Sequence, residues 1–191
     1  EALALIKNVT GAADVALTQN NGRGGYPFGK RSSKFDEAGG PLGFCHNDFT
    51  AGSGPRHLAA DYPDRADALF KKRFAIYNVW HLISHPPQSH PLALCEPSSI
   101  AISDIVAGEA HFGPEENPGY FGENTMLRYN PAHRWHYYPD LRTDQTLVWC
   151  GYDSDPSRPS IVPHSSFRDP NVRDPNAERT VVHGTVYAFF G

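Results

Sequence analysis

Apolar residues recur at helical spacing in few places along this chain. The clearest is His57 to Arg73, "HLAADYPDRADALFKKR", where Ala60, Ala66, Leu69 and Phe70 form a stripe that Pro63 interrupts. Ala2 to Ile6 is a shorter candidate. Elsewhere the pattern is that of strands, rich in branched and aromatic residues. These are "FAIYNVWHLI" (74–83), "SIAISDIV" (99–106), "NTMLRYN" (124–130), "HRWHYYP" (133–139), "TLVWCGYD" (146–153) and "RTVVHGTVYAFF" (179–190). Turn-rich stretches at 84–91, 113–119, 139–144, 154–160 and 168–177 separate them. Many strands and one early helix predict a mainly β protein, a sandwich or barrel with helical decoration. No repeat or linker divides the chain, so residues 1–191 are expected to form one domain. Glu1 rather than Met stands first, which leaves room for a segment ahead of it.

Composition narrows the class. The chain is 39% hydrophobic and 20% charged, with 17 Gly and 17 Pro, which suits a packed core joined by many turns. Net charge is −4, and Lys and Arg are scattered, so no nucleic-acid partner is expected. No apolar run approaches the ~18 residues of a membrane span, so no membrane partner is expected. Cys45, Cys95 and Cys150 are odd in number and widely spaced, which argues against a zinc ribbon or a disulfide framework. A reducing, cytoplasmic setting is expected. Asp153 reads as a turn former, and Lys71-Lys72-Arg73 as a solvated helix end.

The candidate chemistry begins in "GFCHNDFTAGSGPR" (43–56). In a strand, His46 and Asp48 point to the same face. There they either close on one divalent metal or serve as polar residues at a strand end. Of the ten histidines, His164 in "SIVPHSSFRDP" also stands out, lying far downstream after a short apolar pair. Two histidines and one carboxylate occupy one face of an iron(II) ion and leave the opposite positions open. Arg179, 15 residues further on, is suited to clamp a carboxylate with its guanidinium, or is an ordinary strand-end arginine. The residues alone leave these alternatives open.

Several blocks in fixed order resemble the fungal hydroxylase/desaturase family of the AsaB type, also labelled CmcJ-like or "methyltransferase-like". "CHNDFTAGSGP" resembles its H-x-D-[YF]-T block, and "YNVWHLI" (77–83) its N-x-W-R-P block. "HPLALCEPSSIAISDIV" (90–106) resembles its P-L-A-L-C-D-x-x-S block. "YNPAHRWHYYPDLRTDQTLVWCGYDSDP" (129–156) and "VPHSSFRDP" (162–170) resemble its central and P-H-x-x-F blocks. No Gly-rich strand–turn–helix loop supports a methyltransferase. "NNGRGGYPFG" (20–29) reads instead as a loop over the site.

The resemblance implies a double-stranded β-helix, a jelly-roll, cupin-like fold with a few peripheral helices. It implies an oxygenase using Fe(II), 2-oxoglutarate and molecular oxygen to hydroxylate or desaturate a small secondary metabolite. On that basis His46, Asp48 and His164 are metal ligands and Arg179 binds the cosubstrate. Asn78, Trp80, Arg128 and Trp135 are candidates for the substrate pocket. Trp149, Tyr137 and Tyr138 are aromatic candidates for the same wall, or core residues. Loops 20–40 and 107–123 are expected to shape the pocket.

Two departures stand out. Trp80-His81-Leu82 replaces W-R-P, and the family's R-E-S-x-E-x-R run becomes Arg179-Thr180-Val181-Val182-His183-Gly184-Thr185. Two cationic positions are thereby lost. The alternatives are a metal-dependent oxidase, lyase or isomerase that does not use 2-oxoglutarate, and a non-catalytic binding jelly roll.

Overall fold

The computed structural model describes residues 1–19, 28–31, 43–112, 120–174, 177 and 179–191. Of the expected loops, most of 20–40 and residues 113–119 of 107–123 lie outside the described residues, while 107–112 and 120–123 belong to the strands Ile105–Phe112 and Tyr120–Leu127 rather than to a loop. Within the 20–29 stretch, Phe28 and Gly29 belong to a strand rather than a loop.

Eleven strands are described: β1 (Asp14–Leu17), β2 (Phe28–Arg31), β3 (His46–Asn47), β4 (Arg73–Leu82), β5 (Leu92–Cys95), β6 (Ile105–Phe112), β7 (Tyr120–Leu127), β8 (Trp135–Tyr137), β9 (Thr146–Asp153), β10 (His164–Ser166) and β11 (Val181–Phe190). They form two antiparallel sheets. One runs β1–β11–β4–β9, with β2 also paired to β11; the other runs β6–β7–β3–β10–β5–β8. The long β4–β11 pairing spans Arg73↔Phe190 to Leu82↔Val181 and gives the first sheet its spine.

Three helices accompany the sheets: α1 (Ala2–Thr10), α2 (Ser53–Asp61) and α3 (Ala66–Leu69). The α1 helix ends at Gly11, whose φ of 69° is a left-handed conformation that glycine adopts without a Cβ clash. Ile6 on α1 packs with Val79, Val186 and Ala188, covering the outer face of the first sheet. Pro63 does separate two helices, α2 and α3. The buried apolar anchor of α2 is Leu58, whereas Ala60 and Phe70 from the expected stripe are exposed. Truncating the fully buried Leu58 to Ala is expected to cost about 2–5 kcal/mol.

One strand begins later than its composition suggests. Residues 97–104 form two short 3₁₀ turns, and β6 starts at Ile105. The cause is Asp104, whose carboxylate accepts hydrogen bonds from Ala101 N–H (3.2 Å), Asn130 Nδ2 (2.9 Å) and His133 Nε2 (3.0 Å). These bonds offer the backbone an alternative to the ladder.

Alternation along β4 and β11 positions the site. Their inner faces carry Phe74, Ile76, Asn78, Trp80 and Leu82, and Val181, His183, Thr185, Tyr187 and Phe189. Phe74, Ile76, Tyr187 and Phe189 join Phe49, Leu58, Leu69 and Tyr152 in one apolar cluster. Trp80, Leu82 and Val181 join Leu92, Leu141 and Trp149 in another. Asn78, His183 and Thr185 form the polar band between them.

Candidate metal centre

The second sheet supplies three converging side chains. His46 on β3 and His164 on β10 are register partners across an antiparallel pair, so both rings leave the same face. Asp48 lies two residues beyond His46. One ligand atom from each of His46, Asp48 and His164 lies within 4.8 Å of the others. His46 Nε2 is 3.6 Å from Asp48 Oδ1, and His164 Nε2 is 3.7 Å from Asp48 Oδ2. Among the described residues this is the one group of three or more His, Cys, Asp or Glu residues so arranged.

Backbone carbonyls set the histidine tautomers. His46 Nδ1 lies 3.1 Å from the Phe44 carbonyl, and His164 Nδ1 lies 3.3 Å from the Val162 carbonyl. A carbonyl only accepts, so each Nδ1 carries the proton and donates. A neutral imidazole then presents a lone pair at Nε2, and both Nε2 atoms face Asp48. Asp48 Oδ2 is buried and has no hydrogen-bond partner. Three electron-rich atoms turned toward one another repel unless a cation lies among them. The donor set fits iron(II), which accepts imidazole and carboxylate together.

Electrostatics agree with this geometry. Burial alone would raise the Asp48 carboxyl, but His164, His46 and His183 outweigh it and hold it below the usual carboxylate range. Burial pushes His164 down to about 4, against the opposing pull of Asp48. At neutral pH, Asp48 is therefore ionised and His164 is neutral, the forms that bind a metal.

The first sheet forms the facing wall. The Trp149 ring meets His164 edge-on, with centroids 5.0 Å apart, and stacks on His183 at 6.0 Å and 14°. His183 Nε2–H donates to Asn78 Oδ1 at 2.8 Å. Arg179 is buried, and its Nη1 donates to the His90 carbonyl (2.9 Å) and to Ser166 Oγ (2.6 Å). Ser166 follows His164 by two residues on β10, so it shares the histidine's face. The Arg179 guanidinium carbon also lies 5.5 Å from the Trp80 ring centre.

The other expected residues distribute unevenly. Asn78 is fully buried and Trp80 is 5% exposed, both on the inner face of β4. Arg128 is exposed just beyond β7, where its N–H donates to the Asp104 carbonyl. Trp135 does not line the inter-sheet pocket. Its register partner is Cys95, while the neighbouring His136 pairs with Leu94, the partner of His164. Alternation therefore turns Trp135 to the opposite face, where it is 39% exposed. Ser166 and Asn47 were not anticipated. Asn47, between His46 and Asp48, is fully buried and bonded to three backbone groups. Thr185 is buried, and its hydroxyl lies 2.6 Å from that of Thr18.

Two antiparallel sheets enclosing a His-x-Asp…His cluster define a jelly-roll protein with a group of side chains that could hold a metal ion. Residues 1–184 match the family described as "Oxidoreductase/YMDC permease-like domain", and the chain belongs to that family. Among curated relatives, it is 28% identical over 138 residues to the hydroxylase/desaturase asaB of Aspergillus flavus, covering 65% of this chain and 59% of that protein. It is 25% identical over 171 residues to the Fe(II)/2-oxoglutarate-dependent dioxygenase nvfI of Aspergillus novofumigatus, covering 88% of this chain and 58% of that one. The chain thus spans less than two thirds of these relatives' lengths. The fold matches a solved structure of the iron and alpha-ketoglutarate-dependent endoperoxidase NvfI with a TM-score of 0.84. That match is 24% identical and covers 100% of this chain and 65% of that chain. No helix among the described residues is long and apolar enough to cross a membrane.

Proposed function

We propose that this chain, residues 1–191, is a single oxygenase domain using Fe(II) and 2-oxoglutarate to hydroxylate or desaturate a small molecule with molecular oxygen. The observation that carries this reading is the convergence of His46 Nε2, His164 Nε2 and Asp48 on one point, with Asp48 Oδ2 buried and without a hydrogen bond. His46, Asp48 and His164 would hold the metal. Together with 2-oxoglutarate, iron(II) there supplies the oxidising power for an unactivated C–H bond.

The side chains supply orientation and charge. The Phe44 and Val162 carbonyls fix both imidazoles as ligands. Asp48 contributes the one negative charge and does not act as a base. Arg179, anchored at one nitrogen by His90 and Ser166, provides a planar fork suited to a dicarboxylate's far carboxylate. Trp80, Leu92 and Trp149 keep the cleft apolar around it. Relatives named hydroxylase/desaturase and Fe(II)/2-oxoglutarate-dependent dioxygenase support the same reaction class. A cytoplasmic location is part of the proposal, supported by Cys45, Cys95 and Cys150 all being free thiols.

One observation favours a second reading. Thr185 stands where the resembling family carries an arginine, and its hydroxyl is engaged with Thr18. A metal-dependent oxidase, lyase or isomerase without 2-oxoglutarate would need no second cation. Anaerobic iron(II) titration with and without 2-oxoglutarate decides between them. The proposal expects a visible metal-to-ligand charge-transfer band only with both present, and succinate on admission of oxygen. Iron binding without the band, with turnover that forms no succinate, would favour the second reading.

A further inference from the structure

Backbone pairing alone does little to hold the two halves of the metal centre together. The β3–β10 ladder consists of one register pair, His46↔His164. What joins the halves more firmly is the side chain between the two N-terminal ligands. Asn47 Nδ2 donates to the Phe49 carbonyl (2.8 Å) and the Gly151 carbonyl (3.0 Å), and Asn47 Oδ1 accepts the Val162 N–H (3.2 Å). Phe49 adjoins Asp48. Val162 supplies the carbonyl to which His164 Nδ1 donates. Gly151 belongs to β9, the strand that carries Trp149 against the His164 ring. The β4–β9 ladder skips Gly151, passing from Ile76↔Tyr152 to Tyr77↔Cys150, and the side-chain amide meets its carbonyl there.

We propose that Asn47 is a positioning residue that sets the separation and angle of His164 relative to His46 and Asp48. This inference rests on the metal reading above and adds a residue to it. Only an amide meets the chemistry: two donors for two carbonyls and an acceptor for one N–H. An aspartate would set an acceptor against the carbonyls of Phe49 and Gly151. An aliphatic side chain would leave the part-buried Val162 N–H without this partner.

A purely structural role and a positioning role differ in one readout. Thr125 Oγ1 also donates to the Phe49 carbonyl, at 3.0 Å, but from β7, on the side of β3 away from β10. The experiment compares wild type, Asn47→Ala and Thr125→Val by anaerobic cobalt(II) titration. It follows the visible d–d bands, at a temperature where circular dichroism shows each metal-free protein folded. Asn47→Ala is expected to weaken cobalt(II) binding about 10- to 100-fold and to shift the bands. Thr125→Val is expected to lower the melting temperature while keeping cobalt(II) affinity within about twofold of wild type.

If Asn47→Ala does not fold, Val162→Pro carries the test with the same expectation, since it deletes the N–H that Asn47 receives and keeps the carbonyl that His164 uses. It also fixes φ there and removes the Val162 side chain from the apolar cluster around Trp149. Equal cobalt(II) affinity in the Asn47 variant and wild type overturns the inference. So does failure of both the Asn47 and Val162 variants to fold while Thr125→Val folds, because that assigns Asn47 to the fold. Absence of cobalt(II) binding by wild type would instead sink the metal reading itself.

Discussion

His46 and His164 face each other across the one register pair between β3 and β10, with ring centroids 4.5 Å apart. Each is tied through Nδ1 to a carbonyl two residues earlier in the chain, just ahead of its strand. The two candidate ligands are therefore preorganised by local backbone, and a cation bound between them would stabilise the folded state. At a metal concentration 100 times the dissociation constant, wild type should gain about 2.7 kcal/mol. His164→Ala and Asp48→Ala should lose at least about 100-fold in iron(II) affinity and show no such gain. Thermal denaturation with and without metal checks this, and an undiminished metal-induced shift in either variant would contradict the ligand assignment.

Arg179 should act on the cosubstrate and not on the metal. Lysine at that position keeps the charge but loses the planar fork held by the His90 carbonyl and Ser166 Oγ. Charge-assisted hydrogen bonds contribute about 1.5–3 kcal/mol each. Arg179→Lys is thus expected to weaken 2-oxoglutarate binding about 10- to 100-fold, read from the charge-transfer band, with cobalt(II) affinity unchanged. Loss of cobalt(II) affinity instead would make Arg179 a support of the metal centre.

Strand pattern was legible where branched and aromatic residues run together between turn-rich stretches. The TLVWCGYD segment occupies β9 over its whole predicted length, because turn residues bound it on both sides. Four short strands, β1, β2, β5 and β10, were invisible to that test. In β5, Leu92–Cys95 is a continuous apolar run without alternation; in β10, His164–Ser166 is wholly polar. Their places come from pairing with distant strands, which no local window contains. The His46/Asp48 face followed from alternation, whereas the distance to His164 could be supplied only by the family resemblance. Asn47 gave no signal, since its partners Val162 and Gly151 are more than a hundred residues away.

Two glycines close in sequence should behave differently. A Cβ on Gly54 would lie 2.5 Å from the Tyr152 ring, inside the apolar cluster around Phe74. On Gly52 the nearest atom would be 3.6 Å away, at the tip of Arg56. Gly54→Ala should destabilise by about 1–3 kcal/mol through overpacking. Gly52→Ala, at the N-cap of α2 with an ordinary φ of −87° and only ordinary van der Waals contacts around it, should cost no more than about 1 kcal/mol. Urea denaturation of the two variants checks the contrast, and equal midpoints would contradict the packing.

The thiols should be inert in the native protein. Burial, with Cys95 nearby, pushes Cys45 up to about 12, and burial, with Asp153 nearby, does the same to Cys150. Cys95 is also raised, chiefly by burial. Since the thiolate is the reactive form, labelling of all three at pH 8 should be at least ~100-fold slower than in denaturant. A fast-reacting native thiol, identified by mass spectrometry, would show that its surroundings differ from those described.

Acid should weaken the fold before the carboxylates titrate. Burial holds His164 at about 4, below its ordinary 6.5, and also lowers His57 and His90. Below pH 6.5 the unfolded chain takes up protons that the folded chain refuses, so falling pH favours unfolding. The stabilising contribution is complete above 6.5 and is lost as pH drops toward 4; for His164 alone it is on the order of 3 kcal/mol. Asp48 acts in the same direction at lower pH, because its carboxyl is held below the usual range and its contribution fades only as the pH falls past that range. In metal-free protein the urea midpoint should therefore fall between pH 7.5 and 4.5, and fall less in His164→Ala, which has no such group to protonate. A midpoint that holds steady or rises over that interval would mean that His164 is already protonated against Asp48 near neutrality. The site would then hold a proton where a metal is expected.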